Sequence, residues 1–475
     1  MGQSLKGLAR ELATPRVAAT AVFLVGLVLC LSLNLPGQLS YDSIAQLHDG
    51  RLGVYNGWHP PVMAWMLGIA DSIVPGAGLF VAFDAVLLFG SFIAALWLAP
   101  QPSWTAVVAA FFCVLLPQFL LYQGIVWKDV LFADAAIAGF VCIALAGSYW
   151  GRAVLRNLLL GKGIALLVLA ALARQNGAVA LVFGIAAIGA LAAAQTPPGA
   201  RFRAVLLFGT TAALSACGLI SAASLALAMR VPGESGPRAQ FKLLQAYDII
   251  GAVKADPGLK LDRIVRANPD LEQLVRTDGV RLYTPQRNDT LASSAELQDE
   301  LSATPKNVIS AQWRDLVLQH AGLYLGVRAR VFGWTFFTPE ISRCQPYFVG
   351  VEGFPRYMKD LGLVARVRWQ DLALKSYGNL LAETPVFSHC TYAIVGIVAL
   401  VMLLRRGRPE DLVLSFLVVS ALTFSCTFFI ISIACDYRYL VFLDLSALTA
   451  AFHLAATAPK PPEWAGLRAR RRQAA

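Results

Sequence analysis

A chain of 475 residues that is 57% hydrophobic and 15% charged, with mean hydropathy +0.60, is not a soluble domain. Soluble domains carry about 25% charged residues, so lipid must be the solvent for much of this surface. The net charge of +11 points to cytoplasmic loops beside anionic lipid rather than to nucleic acid, because no basic run is interleaved with aromatics as a nucleic-acid groove requires.

In chain order, Lys6, Arg10 and Arg16 precede an apolar run at 17–36. The run is long enough to span and has no small-residue cleavage site, so it reads as a first membrane helix rather than a removed signal peptide. The first outer loop, 37–78, carries Asp42, His48, Asp49 and His59. Its stretch HPPVMAWMLGIADSIV is too short to span and predicts an amphipathic helix lying along the interface, opened by its proline pair. Further spans are expected at 79–99, 104–121 and 130–148. The outer turn before the last of these places Lys128 and Asp129 at the head of a helix. Residues 163–174 and 177–194 read as two helices, because Arg174, Gln175, Asn176 and Gly177 in sequence would be costly at mid-bilayer. A span at 204–229 follows. The segment 230–388 is rich in Asp, Glu, Lys, Asn, Pro and Gln, and pieces such as LDRIVRANPDLEQLVR have helical spacing of apolar residues. Three more spans are expected at 389–404, 411–432 and 437–456. The fold class is therefore all-α: a polytopic membrane protein of about ten transmembrane helices. Its divisions are an N-terminal membrane module at 1–229, a mostly helical extracytoplasmic domain at 230–388, and C-terminal helices with a basic tail at 389–475.

Cations fix the sides. They cluster at Lys6, Arg10 and Arg16; at Arg152, Arg156 and Lys162; at Arg201 and Arg203; at Arg405, Arg406 and Arg408; and at Arg468, Arg470, Arg471 and Arg472. With ten helices all five clusters fall on one side, which the positive-inside rule makes cytoplasmic. Both termini are then cytoplasmic, and the expected location is a bacterial inner membrane. The eight cysteines lie mostly in apolar runs with no CxxC spacing, so they give no metal or disulfide framework. Cys344 and Cys390 are the pair expected to meet outside the membrane.

The outer turns hold the chemistry. Asp42, Lys128 with Asp129, Arg174 with Gln175 and Asn176, and Asp436 with Tyr437 and Arg438 all fall on the outer face, in turns otherwise poor in charge. Ionisable residues at membrane depth are functional by default, and this set suits an anionic lipid headgroup with a base beside it. Blander readings stand next to this one. Lys128 and Asp129 can form a local ion pair, and Arg174 and Arg438 can snorkel to headgroups. His48 and Asp49 read as ordinary loop residues, and His320, His389 and His453 as structural. Asp84, Asp134 and Asp444 read as polar contacts between helices.

An Asp just after the first helix, followed by HPPVMAWML, resembles the first outer loop of the GT-C superfamily, the membrane glycosyltransferases that use polyprenyl-phosphate sugars. The similarity is to the protein mannosyltransferase and aminoarabinose transferase group and extends to about residue 195. DYRYLVFL resembles the Arg-Tyr end of related proteins, and 230–388 carries no resemblance. The likeness implies Asp42 as catalytic base, His59 where many members have lysine near the donor phosphate, and Asp129 as the second-loop acid. Ser43 stands where a second acid is usual, and no DxD follows, so a metal ligand set is not implied and divalent-metal dependence stays open.

The implied reaction moves a sugar from a polyprenyl-phosphate donor to an envelope glycan, lipid or protein acceptor on the outer face, with inversion. Lys128, Arg174 and Arg438 would hold the phosphate, and His59, Asp129, Gln175, Asn176 and Tyr437 would contact sugar or phosphate. A polyprenyl-linked glycan ligase or polymerase and a lipid or solute transporter are the alternatives. The gathering of polar residues on one face favours an enzyme over a transporter.

Overall fold

A computed structural model describes residues 14–55, 58–228 and 237–458. Helix α1 (Pro15–Asn34) starts at Thr14, whose side chain accepts from the Val17 amide, with proline in the first turn where its missing N–H is not needed. The first outer loop forms α2 (Tyr41–Leu52) and α3 (Pro61–Ile73). Then come α4 (Gly78–Ala95), α5 (Trp104–Val114), α6 (Lys128–Ser148), α7 (Ala153–Ala173), α8 (Ala178–Ala194) and α9 (Arg201–Ala228). The insert contributes α10 (Pro237–Ala255), α11 (Lys306–Gln319), α12 (Ala321–Phe337) and α13 (Trp369–Ala382), with shorter turns between them. The chain returns through α14 (His389–Arg406), α15 (Pro409–Ile431) and α16 (Val441–Ala456).

Among the described residues, eight helices are long and apolar enough to cross a membrane, nine if a bent pair counts as one span. The chain is a multi-pass membrane protein, and each of the ten expected apolar runs falls on a helix. The tenth, α8, has 17 residues, about 26 Å at 1.5 Å per residue. The break at Arg174–Gly177 separates α7 from α8 as expected. Two runs differ in shape. The run expected from 163 begins earlier, at Ala153. The run 104–121 is not straight: Trp104–Val114 and Pro117–Gly124 meet at 66°. Pro117 has no N–H to continue the helical ladder, and the Leu116 amide turns to the Cys113 carbonyl.

Helix α6 is the central post, buried along nearly its whole length. Its small residues allow close approach: a Cβ on Gly139 would sit 2.8 Å from Leu167 Cγ and 3.1 Å from the Gly163 carbonyl of α7. The aspartates inside the spans join helices, as expected. Asp444 of α16 accepts from Tyr437 and lies 2.8 Å from His389 Nδ1 of α14. Asp134 of α6 accepts from Gln123 at 3.4 Å. His453 has a structural role, 2.8 Å from Asp411. Arg16 donates to the Ala99 and Pro100 carbonyls, and Arg406 to Asp411 and Thr457, so these cations share one end of the bundle. Lys6, Arg10 and the tail arginines Arg468, Arg470, Arg471 and Arg472 lie outside the described residues.

No sheet forms among the described residues. Four isolated bridges stitch the outer loops instead: Gln38 to Ile125, Leu39 to Val351, Val351 to Arg366, and Arg287 to Ala434. The insert splits by core. Buried residues from Ala246 to Val331 make a cluster of their own, whereas Ile341, Val351, Met358, Leu361 and Phe387 join the main core. One expectation is corrected here. Cys344 does not meet Cys390; it is disulfide-bonded to Cys435, with Cα atoms 4.9 Å apart, and Cys390 is free. The reason is local. The Cys435 amide donates to the Gln286 carbonyl at 2.8 Å, which draws residues 433–435 out from α15 under the insert, whereas Cys390 is already inside α14.

Candidate active site at the outer face

The site is assembled by the backbone before any charged group acts. The Gln38 amide donates to the Gly124 carbonyl at 2.8 Å, and the Val126 amide to the Gln38 carbonyl at 3.1 Å. Ser40 caps α2: its amide donates to Ser43 Oγ at 3.2 Å, its own Oγ accepts from Trp127 Nε1 at 3.0 Å, and Ser43 Oγ donates to the Val126 carbonyl at 2.6 Å. Ser43, which stands where an acid was expected, is thus a cap and a tie. These bonds set Asp42, in the first turn of α2, against Lys128 and Asp129 at the start of α6.

The side chains then interlock. Arg438 donates from Nη2 to Asp42 Oδ2 at 2.7 Å, pairs with Asp436 at 3.2 Å, and brings Nε to 3.7 Å from Asp129. Arg174 pairs with Asp129 from the other side. The Arg438 guanidinium lies 4.8 Å over the Trp127 ring, and Arg174 lies over Phe424, Phe428 and Tyr439 at 5.2–5.6 Å. These aromatic faces suit planar cations held away from water. The Lys128 ammonium is 3.1 Å from His59 Nδ1. An ammonium only donates, so Nδ1 accepts and the ring proton sits on Nε2. That nitrogen faces Asp42 Oδ1 at 3.6 Å, an electrostatic contact rather than a hydrogen bond.

Burial pushes the Asp42 carboxyl upward in pKa, but Arg438, His59 and Lys128 outweigh it and hold the group at about 2. Burial and the neighbouring Lys128 push His59 down to about 3, against the pull of Asp42. Asp436 is raised by burial despite Arg438 and Arg287. Asp42 keeps about a third of its side chain exposed, whereas Asp129 is only 1% exposed. The solvent-facing carboxylate of the cluster is therefore Asp42.

The cluster brings together Asp42, His59, Lys128, Asp129, Arg174 and Arg438. Neither the local Lys128–Asp129 pair nor simple snorkelling describes these groups. Three other expected site residues turn away. Tyr437 is fully buried, donates to Asp444 and stacks on His389 at 3.9 Å. Asn176 donates to Thr427 at 2.9 Å, and Gln175 to Gln240 at 3.1 Å. Two residues to which the sequence reading gave no role join the cluster. Asp436 had a signal, being two residues before Arg438. Arg287 had none: it lies in the insert and reaches Asp436 at 3.2 Å only because Arg287 pairs as a bridge with Ala434. His48 lies apart, stacked on Tyr357 and paired with Asp360. Among the described residues no group of three or more His, Cys, Asp or Glu side chains converges as metal ligands would.

Fold and site together define a multi-pass membrane protein with an arginine–carboxylate cluster under its outer loops. No family model matches the chain, and no curated protein matches it. Solved structures of the Archaeoglobus fulgidus oligosaccharyltransferase are similar to it. The apo form is 13% identical over 96% of this chain and 52% of that one, with TM-score 0.43. The form in complex with an inhibitory peptide and a dolichol-phosphate is 13% identical over 96% and 51%, with TM-score 0.45. The form with zinc and sulfate is 13% identical over 94% and 50%, with TM-score 0.44. The chain spans about half the length of the solved structures it matches.

Proposed function

We propose that this protein is a GT-C-type membrane glycosyltransferase that moves a sugar from a polyprenyl phosphate to an acceptor on the extracytoplasmic face. The observation that carries this reading is the single ion-pair cluster in which a partly exposed Asp42 shares Arg438 with Asp129 and Asp436, beside Lys128 and Arg174. Such a cluster holds cations at membrane depth ready for a phosphate oxygen and a carboxylate ready for a proton.

The chemistry follows from an exchange of partners. While Arg438 is bonded to Asp42, the carboxylate is a poor base. A phosphate that engages Arg438 draws it from Asp42, and burial then acts on the carboxylate without that compensation, so its proton affinity rises. The acceptor hydroxyl or amine attacks the anomeric carbon and its proton passes to Asp42. The bond from that carbon to the phosphate oxygen breaks, and its electron pair leaves on the polyprenyl phosphate, where Arg438, Arg174 and Lys128 stabilise the charge. One base facing one leaving group gives inversion. The neutral His59, fixed by Lys128, orients Asp42.

The side of the membrane and the bacterial inner-membrane location belong to the same proposal. The Cys344–Cys435 bond supports an oxidising compartment for this end of the bundle. The test is transfer from a radiolabelled polyprenyl-phosphate-sugar pool in membranes, wild type against Asp42→Asn at equal expression. A loss of about 10²–10⁴-fold is expected for removing a general base. Wild-type transfer by the variant would remove Asp42 from catalysis and move the reading to a ligase or transporter.

A further inference from the structure

Helix α13 is amphipathic in an unusual sense. Its inner face buries Asp371, Leu374 and Gly378. Its other face leaves Trp369 72%, Leu372 54% and Leu380 76% exposed, and the approach to it adds Val364 and Val367 at 79% and 61%. Trp369, Leu372 and Leu380 share one side by their helical spacing. A strip of this kind facing water would be costly.

The bonds of this segment give its level. Asp371 Oδ1 accepts from Gln38 Nε2 at 3.1 Å, and Arg366 Nη2 donates to the Gly37 carbonyl at 3.1 Å. The Tyr377 hydroxyl donates to the Leu115 carbonyl. Gly37 and Gln38 follow the end of α1, and Leu115 caps α5 at the bend of the 104–124 pair. The helix therefore lies beside the end of α1 and the bend of the 104–124 pair, at the level of the membrane bundle rather than above it in the aqueous domain. Helix α1, which packs against α13, itself exposes Val25 and Val28 at 68% and 67%. Lys375 stands exposed on the same helix, which gives the composition of an interfacial helix: a tryptophan and leucines for the acyl boundary and a cation for headgroup phosphates.

We infer that α13, with its approach from residue 364, is an interfacial segment whose Trp369–Leu372–Leu380 face is buried among the phospholipids of the outer leaflet. The sequence places this segment in an aqueous domain. Its consequence is to set depth. Through Asp371 and Gln38, the lipid-seated helix is bonded to the strand of chain that leads to Asp42, four residues on, so the carboxylate is held near headgroup level. This inference does not depend on the transfer reaction.

The test uses the full chain in phosphatidylcholine–phosphatidylglycerol vesicles. The emission of Trp369 is isolated as the difference between wild type and Trp369→Phe. Brominated acyl chains are expected to remove most of that difference emission, and aqueous iodide to leave it. Quenching by iodide instead would show a water-facing helix and overturn the inference. So would protection from both quenchers, which would show a protein partner or a second copy on the face. Leu380→Trp in the Trp369→Phe background repeats the measurement eleven residues along the same face, so a local disturbance at 369 cannot decide the result.

Discussion

Arg438 is the residue on which the charges converge, and its chemistry argues for a specific substitution. Its guanidinium reaches Asp42, Asp436 and Asp129 at 2.7, 3.2 and 3.7 Å while stacked on Trp127. A lysine has one point of charge and no plane to stack, so Arg438→Lys should lower transfer by about 10-fold or more despite keeping the charge. The expected readout is a fall in kcat/KM at unchanged expression. The same pairing gives an expectation for metal dependence. Asp42, Asp129 and Asp436 are each held by arginine, so dialysis against a chelator should leave transfer unchanged. Restoration by added magnesium or manganese after chelation would instead show that a cation displaces an arginine. His59 supplies a pH signature. Its folded pKa of about 3 lies below the unfolded 6.5, so the unfolded chain binds more protons between those values. Stability from this group is complete above about pH 6.5 and is lost as pH falls towards 3. The melting temperature should fall over that window, and His59→Asn should flatten the dependence.

At the scale of elements, α2 carries Asp42, His59 stands two residues before α3, and the two helices meet backbone to backbone. A Cβ on Gly50 would run into the Ala64 carbonyl, and one on Gly68 into the Gly50 carbonyl. Neither obstacle is the end of a flexible side chain, so the helices must separate. Gly50→Ala should cost roughly 1–3 kcal/mol and, by moving α2, should weaken transfer more than a stability loss of that size explains. Thermal unfolding and transfer measured on the same membranes check both parts. The kink of α5 at Pro117 has a similar logic: it turns the chain aside so that Tyr122 to Trp127 can lie across the outer end of α1, where Gly124 packs against Asn34.

For the whole molecule, the insert is tied to the short segment that leads into Arg438. Arg328 is fully buried, pairs with Asp248 at 2.8 Å and donates to the Phe429 and Ser432 carbonyls at 2.8 Å. The Asn288 amide bonds the Ile433 carbonyl at 2.9 Å, Cys344 is bonded to Cys435, and Arg287 pairs with Asp436. Residues 429–436 are thus held from the insert side and deliver Arg438 to the cluster. Arg328→Ala leaves Asp248 buried without its partner and should destabilise the insert by about 3–5 kcal/mol. Cys435→Ser removes a link across 91 residues and should cost about 2–4 kcal/mol, with a parallel loss of transfer. Limited proteolysis of the insert, run beside the transfer assay, reads both effects.

The sequence by itself determined the spans and which of the turns between them bear charge. Length of apolar run, cost of charge in lipid and cation bias are local properties, and a membrane reads them one segment at a time. It also marked Lys128, Asp129, Arg174 and Arg438, because an ionisable group in an otherwise uncharged turn at membrane depth is conspicuous without any partner in view, and Asp42 and His59 through the resemblance of the first loop. Partnership was decided only by the tertiary structure. Which acid holds which arginine depends on loops up to 396 residues apart in the chain, and no periodicity encodes that. Tyr437 and Arg438 are neighbours in sequence, yet a 3₁₀ turn sends one into the membrane core and the other into the site. Arg287 and the Cys344–Cys435 bond stayed hidden for the same reason: polar residues in a polar insert carry no signal until the fold sets them against Asp436.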